Sequence, residues 1–122
     1  MAKAKIRGIY STALTKLLLE NGFTIVQPSI TVRERFGLTE NDDFSDLEIS
    51  DRQDRQGVQV SGTAETVNAF TSILQSCLDD VIIRKGEAPA TLLKGSRYVD
   101  VEFPALSKKK LDEIRGSVAP TI

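Results

Sequence analysis

Two arginines stand three residues apart in a short polar segment whose composition is typical of a hairpin connection. Residues 51–57 have the sequence DRQDRQG and include Arg52 and Arg55. Guanidinium groups bind phosphate oxygens through paired hydrogen bonds and stack on bases, so both side chains are candidates for contacting a nucleic acid. The neighbouring carboxylates of Asp51 and Asp54 offer a competing interpretation, in which salt bridges simply hold the turn. The residues alone leave both interpretations open.

Three consecutive lysines form the second candidate site. Lys108, Lys109 and Lys110 follow Ser107, which the pattern predicts to cap a helix. The lysines would then occupy the first helical turn, where the positive end of the helix dipole disfavours cations. A bound phosphate would relieve this repulsion, because the free N–H groups of a helix N-terminus bind anions. A solvated helix face that tolerates a modest cost is the alternative.

Further basic and aromatic residues could extend such a surface. Arg7, Arg33 and Arg35 are candidates for additional phosphate contacts. Tyr10 and Tyr98 lie near the ends of predicted strands, where their rings could stack on the bases of single-stranded RNA. A half-buried structural tyrosine is the competing interpretation for each of them.

Several kinds of catalytic site are excluded or disfavoured by residue usage. The chain has no histidine and one cysteine, Cys77, so it lacks the usual general base near neutral pH and cannot build a zinc site from soft ligands. Asp42, Asp43 and Asp46 could hold Mg²⁺, but their segment has the composition of a solvated acidic loop. The residues therefore predict no catalytic group and no metal site in this chain.

Size and charge are those of an ordinary folded domain with an uneven charge distribution. The 122 residues predict one domain over 1–122, with a net charge of −1. Residues 40–54 carry seven acids and one base, whereas residues 84–110 carry seven bases and three acids. This asymmetry permits a basic face, although two solvated loops of opposite sign would also produce it. No apolar run approaches the ~20 residues that span a bilayer, so we expect a cytoplasmic protein without a membrane partner.

The hydrophobic pattern predicts ten elements that must position these residues. Their order is strand, helix, strand, helix, strand, strand, helix, strand, strand, helix. This order indicates an α+β fold with a mixed sheet of about five to seven strands and three or four helices packed on it. The predicted strands lie near residues 5–10, 23–26, 46–51, 58–60, 81–83 and 99–103, and residues 92–93 are a further candidate for a short strand outside this order. The predicted helix caps are Ser11 or Thr12, Ser29, Thr63 and Ser107. Leu106 is predicted to pack on Leu111 across the start of the last helix.

Five stretches of the chain carry a family pattern. They are residues 7–19 (RGIYSTALTKLLL), 25–29 (IVQPS), 33–38 (RERFGL), 51–58 (DRQDRQGV) and 101–115 (VEFPALSKKKLDEIR). The first four resemble the N-terminal part of the archaeal AU-rich-RNA-binding probable ribonuclease family, which is related to RNase E/G, and residues 101–115 resemble a later segment of the same family.

The resemblance implies a function in RNA binding. Members of the family are expected to bind RNA loops rich in A and U and to act in the maturation or decay of ribosomal RNA. They are several times longer than this chain and carry an oligonucleotide-binding barrel that residues 84–98 are too short to contain. Cleavage in the group uses Mg²⁺ held by carboxylates of a separate subdomain. The resemblance thus implies Mg²⁺ for the full-length family and no cofactor for this chain.

The leading hypothesis is an RNA-binding α+β module of an endoribonuclease, which by itself binds RNA rather than cuts it. RNA contacts are predicted for Arg7, Tyr10, Arg33, Arg35, Arg52, Arg55, Lys108, Lys109 and Lys110. The alternative is an assembly module that packs against the barrel or another subunit, or associates with itself, without contacting RNA.

Overall fold

A mixed sheet covered by helices forms the framework of the protein. A computed structural model describes residues 2–85 and 96–118. The strands are β1 (Lys3–Ile6), β2 (Thr24–Ile25), β3 (Leu47–Asp51), β4 (Gly57–Thr63), β5 (Ile82–Lys85) and β6 (Ser96–Glu102). The helices are α1 (Ser11–Glu20), α2 (Ile30–Phe36), α3 (Ala64–Cys77) and α4 (Ala105–Gly116). The predicted α+β class is confirmed, while the strand predicted at residues 92–93 lies outside the described residues.

The strand order decides which loops meet. The strands are arranged β2-β1-β3-β4-β6-β5, with β1 parallel to β2 and β3 and all other neighbours antiparallel. Ile6 at the end of β1 pairs with Ile49 near the end of β3, and Gly57 at the start of β4 pairs with Glu102 at the end of β6. The turn after β1, the β3–β4 hairpin loop and the start of α4 therefore lie at one end of the sheet.

Alternation along the strands gives the sheet one apolar and one polar face. In register, Ile6, Ile49, Val60 and Val99 form a buried apolar row across four strands. Side chains of α1, α3 and α4 join this row in one hydrophobic core. The next row of the register contains Lys5, Glu48, Ser61 and Tyr98, which point to the opposite face because successive side chains alternate.

The helices form where the apolar spacing predicts them. Thr63 caps α3 by accepting a hydrogen bond from the N–H of Thr66, and the predicted stripe of Val67, Phe70 and Leu74 is buried. Cys77 at the end of α3 is half-buried against the core. In the described ranges, no helix combines the length and apolar character needed to cross a membrane.

Two strand predictions are wrong in position or burial. β1 ends at Ile6 rather than continuing to residue 10, because the chain turns at Gly8 and leaves Ile9 57% exposed. β5 is not the buried strand predicted at residues 81–83. Among the described strands it lies at the edge of the sheet, where Ile82 and Ile83 are half-buried and the strand pairs with β6 alone.

Close approach of β4 and β6 requires glycine at position 57. A Cβ atom on Gly57 would lie 1.8 Å from the backbone oxygen of Val101, so the two strands would have to separate. We expect Gly57→Ala to lower the free energy of unfolding by about 3 kcal/mol, within the range for overpacked sites. Gly116→Ala is the matched control, because a Cβ there meets open space and alanine favours a helix. Denaturant titrations followed by circular dichroism would measure both, and equal stability of the two variants would contradict this packing.

Candidate nucleic-acid interface

The turn after β1 is fastened to the β3–β4 hairpin by a carboxylate. Gly8 adopts a φ of +109°, and a Cβ atom there would lie 2.1 Å from Asp51 Oδ1. Because glycine leaves this space free, both Asp51 oxygens accept the Ile9 N–H, at 3.1 and 3.0 Å. Asp51 thus organises the backbone that carries Arg7 and Tyr10 to the hairpin.

Tyr10 holds the hairpin loop against the rest of the sheet. Its hydroxyl donates a 2.8 Å hydrogen bond to the backbone oxygen of Arg55. Its ring meets Phe103 edge to face, with 4.9 Å between centroids. Partial burial, and then the nearby carboxylates of Asp51 and Asp54, raise the pKa of the Tyr10 hydroxyl above its ordinary value. The phenol therefore stays protonated and keeps donating at neutral pH.

Arg55 and Lys108 both lie at the β3–β4 hairpin loop. Arg55 has a φ of +58°, in the left-handed region that costs a non-glycine residue about 1–2 kcal/mol. Its side chain is exposed. Lys108 reaches the loop from α4, where its Nζ donates to Oε1 of Gln56. A depression of about 190 Å³ lies between the start of α1 and α4, bordered by Tyr10 and Lys108.

Four of the predicted contact residues lie at the end of the sheet formed by the turn after β1, the β3–β4 hairpin loop and the start of α4, which we call the hairpin end: Arg7, Tyr10, Arg55 and Lys108. They come from three separate parts of the chain, and only the fold brings them together.

Arg52 has a different environment from Arg55. Its guanidinium lies 3.0 Å from Asp54, 3.1 Å from Asp100 and 3.3 Å from Glu102, and its side chain is only 17% exposed. Arg84 joins from β5 and donates to Glu102 at 3.2 Å. Hydrogen bonds from Arg84 and then from Arg52 lower the pKa of Glu102 below its usual range. Arg52 therefore ties the hairpin to β6.

The predicted start of α4 is wrong. The helix begins at Ala105, so Ser107 lies within its first turn and Lys108 to Lys110 lie one turn further in. The helix N-terminus already has an anion, because Asp80 accepts the Leu106 N–H at 3.0 Å and the Ser107 hydroxyl. The hydrogen bond from Ser107 is the main cause that lowers the pKa of Asp80.

Two consequences follow for the last helix. Leu106 is 63% exposed and does not form the predicted staple on Leu111. The Lys108 N–H is bonded to the Pro104 oxygen, so it is not free to bind a phosphate. Lys109 and Lys110 border a separate depression beside the end of α3.

Arg33 and Arg35 lie away from the hairpin end, on α2, which packs against α1. Arg33 is half-buried, and its enclosed Nε has no hydrogen-bond partner among residues 2–85 and 96–118. The guanidinium of Arg7 stays close to β1, where Nη1 donates to the Ile6 oxygen at 3.0 Å.

The acidic loop does not fit a magnesium ion. Asp46 accepts the Lys3 N–H at 3.1 Å, and Asp43 pairs with the Lys3 ammonium at 3.3 Å. Across residues 2–85 and 96–118, no three acidic or cysteine side chains are grouped closely enough to share a metal ion. The Mg²⁺ implied for the full-length family therefore has no matching ligand set in the described part of this chain.

Comparison with known proteins gives a consistent set of relatives. The chain is 49% identical over 81 residues to the probable ribonuclease FAU-1 of Thermococcus kodakarensis, which covers 66% of this chain and 17% of that protein. It is 49% identical over 81 residues to the protein of the same name from Pyrococcus horikoshii, covering 66% and 16%. The Pyrobaculum arsenaticum protein of this name is 42% identical over 84 residues, covering 69% and 19%.

Over about two thirds of its length, the chain is similar to this archaeal family of probable ribonucleases, related to RNase E/G. No family model matches it. The matched segment makes up less than a fifth of each of the three relatives. The resemblance inferred from the sequence is thereby confirmed, while the activity of the long relatives does not transfer to this chain by identity alone.

Sequence reasoning missed the partners that organise the hairpin end. Asp80, Asp100, Glu102 and Phe103 all act on residues distant in the chain, such as Asp80 on Ser107, 27 positions away. No local pattern predicts such pairs, because they depend on which strands are neighbours.

The structural role of Arg52 predicts a pH-dependent loss of stability. We expect Arg52→Met to lower the melting temperature by several degrees at pH 7, because Asp100 and Glu102 would then repel each other across one sheet face. A lowered Glu102 pKa contributes stability above the ordinary carboxylate range, and that contribution disappears as pH falls through the lowered pKa. Thermal melts of the native chain and the variant should therefore converge as the pH falls through the lowered pKa of Glu102.

Arg84→Met is the matched control, because the Arg84 side chain is 55% exposed and, among the described residues, pairs with Glu102 and no other acid. Its effect at pH 7 should be the smaller one. A melting temperature of Arg52→Met that equals that of the native chain would contradict the role assigned to Arg52.

Proposed function

We propose that this chain binds RNA at the hairpin end and does so without cutting it. The observation that carries the proposal is the placement of Arg7, Arg55 and Lys108 at one end of the sheet. Each comes from a different segment, and cations at one end of a sheet can hold phosphates of one RNA. The names of the relatives, which are probable ribonucleases, support RNA as the partner.

The backbone of Arg55 supports a contact role for its side chain. The left-handed conformation at this position suits glycine, yet an arginine occupies it with its guanidinium in solvent. Tyr10 stabilises the conformation through the Arg55 oxygen. Backbone strain of this kind occurs preferentially at functional sites, so the position favours a cation presented to a ligand.

Binding without cleavage is supported by the engagement of the carboxylates. Asp51 accepts from Ile9, Asp80 from α4, and Asp100 and Glu102 face arginines. These groups hold the fold together. A cleavage step would need carboxylates free to act on water or to hold a metal ion.

The finer target follows from the family resemblance. We propose that the ligands are A- and U-rich RNA loops, including those of ribosomal RNA precursors. Loops expose unpaired bases beside their phosphates, so cations and exposed polar groups of one surface can contact both.

An assembly module is the second candidate function. Phe44 is 91% exposed, and Leu106 and Ile30 are 63% and 65% exposed. If these side chains form one patch, they would provide a contact surface for another protein segment. The long relatives contain several times more chain than the matched segment.

The decisive experiment uses Arg55→Gly. Glycine suits the backbone conformation, so the variant should melt at or above the native temperature. Its affinity for an A/U-rich RNA hairpin should fall about tenfold at low salt, and the slope of log K against log salt should become shallower by about 0.7–0.9. Arg97→Ala is the control, because it removes one exposed cation whose side chain contacts Asn68 of α3 instead.

Binding would be measured by fluorescence anisotropy across a salt series with Mg²⁺ present, and the RNA would be checked for cuts on a denaturing gel. Failure of the native chain to bind even at low salt would favour the assembly module. Mg²⁺-dependent cutting would overturn the claim that the chain only binds.

A further inference from the structure

The face of the sheet opposite α1, α3 and α4 carries a shallow depression of about 200 Å³. Polar side chains of β3, β4 and β6 border it, together with two cations on the β1 side. We call this surface the polar groove and define it by Lys5, Arg7, Ser50, Gln59, Ser61 and Tyr98. It adjoins the hairpin end at Arg7, which belongs to both.

The register places cations and an aromatic ring on opposite sides of the groove. Lys5 lies on β1 and Tyr98 on β6, in one row that crosses β3 and β4. Three strand spacings of about 4.8 Å separate their backbones by roughly 14 Å. That width suits a nucleotide whose phosphate lies on the β1 side and whose base extends towards β6.

The side chains inside the groove are available to a ligand. Over the ranges that the structure describes, the side chains of Lys5, Ser50, Gln59 and Ser61 make no hydrogen bond or ion pair within the protein. By contrast, the neighbouring charged residues Arg52, Arg84, Asp100 and Glu102 neutralise one another. Glu48 is the one acid at the border of the groove, and its carboxylate accepts the Ser45 hydroxyl at 3.3 Å.

We propose that the polar groove binds single-stranded RNA, with Tyr98 as the stacking platform for an unpaired base. Lys5 and Arg7 hold the phosphates, and the Gln59 amide hydrogen-bonds to the edge of the base. Rings stack on bases of any sequence, whereas paired bases inside a duplex are not accessible to them. This inference rests on the proposed RNA-binding function and extends it, because it makes the chain selective for unpaired segments.

The test compares a single-stranded A/U 10-mer with the same strand annealed to its complement. The native chain should bind the single strand more tightly. Tyr98→Leu should weaken single-strand binding by about 5- to 100-fold, the range for loss of one stacked base, and leave duplex binding unchanged. Tyr98→Phe should bind like the native chain, because it keeps the ring.

Lys5→Ala keeps the test independent of the folding of the Tyr98 variants. It should weaken single-strand binding and make its salt dependence shallower. Arg97→Ala is the matched control, because its side chain contacts Asn68 of α3, on the helix-covered face, although Arg97 is the immediate neighbour of Tyr98. Thermal melts would verify that every variant is folded.

The outcomes separate this inference from the function on which it rests. If the native chain binds RNA but Tyr98→Leu and Lys5→Ala bind like Arg97→Ala, the groove is not the RNA site and the hairpin end acts alone. If the native chain binds no RNA, both proposals fall. If the native chain is a dimer in sedimentation and Tyr98→Leu makes it monomeric, the groove is a protein interface and the inference is overturned.

Discussion

The burial of one sheet face is the constraint on which the rest of this structure depends. Side chains alternate along a strand, so the register that buries Ile6, Ile49, Val60 and Val99 also directs every second residue away from the core. A slip of one residue would expose the whole apolar row. The packing on the apolar side therefore determines which residues lie on the polar face and how far apart they are.

The hairpin end shows how two similar residues acquire different roles. Arg52 follows β3 directly, and its N–H still donates to the Gly57 oxygen of the neighbouring strand. Its side chain forms salt bridges with the β6 carboxylates of Asp100 and Glu102. Arg55 follows in the turn, where its N–H donates to the Arg52 oxygen and its side chain is exposed. Three positions thus separate a guanidinium that holds strands together from one that faces solvent. The contrast is one of position in the hairpin and owes nothing to residue type.

At the same end of the sheet, some side chains hold the fold together while others remain exposed. Three side chains supply hydrogen-bond partners that backbone groups would otherwise lack. Asp51 accepts an N–H of the turn after β1, Tyr10 donates to the carbonyl of the strained Arg55, and Asp80 accepts an N–H at the start of α4. Because these partners supply the needed charge and hydrogen bonds, the exposed side chain of Arg55 is not required to hold this end together. Arg7 then connects this end to the polar groove, so the two proposed RNA contacts form one continuous surface on a rigid sheet.

The sequence by itself determined the fold class and most of the elements. The stripe Val67, Phe70 and Leu74 predicted α3, and the alternation of Leu47, Ile49, Val58 and Val60 predicted two strands and a hairpin, because these periods are local properties of the chain. It also placed Arg55, Tyr10 and Lys108 among the candidates, and the quoted stretches indicated the family.

Only the tertiary structure decided which of those candidates meet and which are engaged elsewhere. Three contacts illustrate this, and each joins residues far apart in the chain. Arg52 pairs with Glu102, Asp80 caps α4, and Lys5 faces Tyr98 across the groove. Such contacts depend on strand order and register. Those are set by the packing of the whole core, and no single segment encodes them.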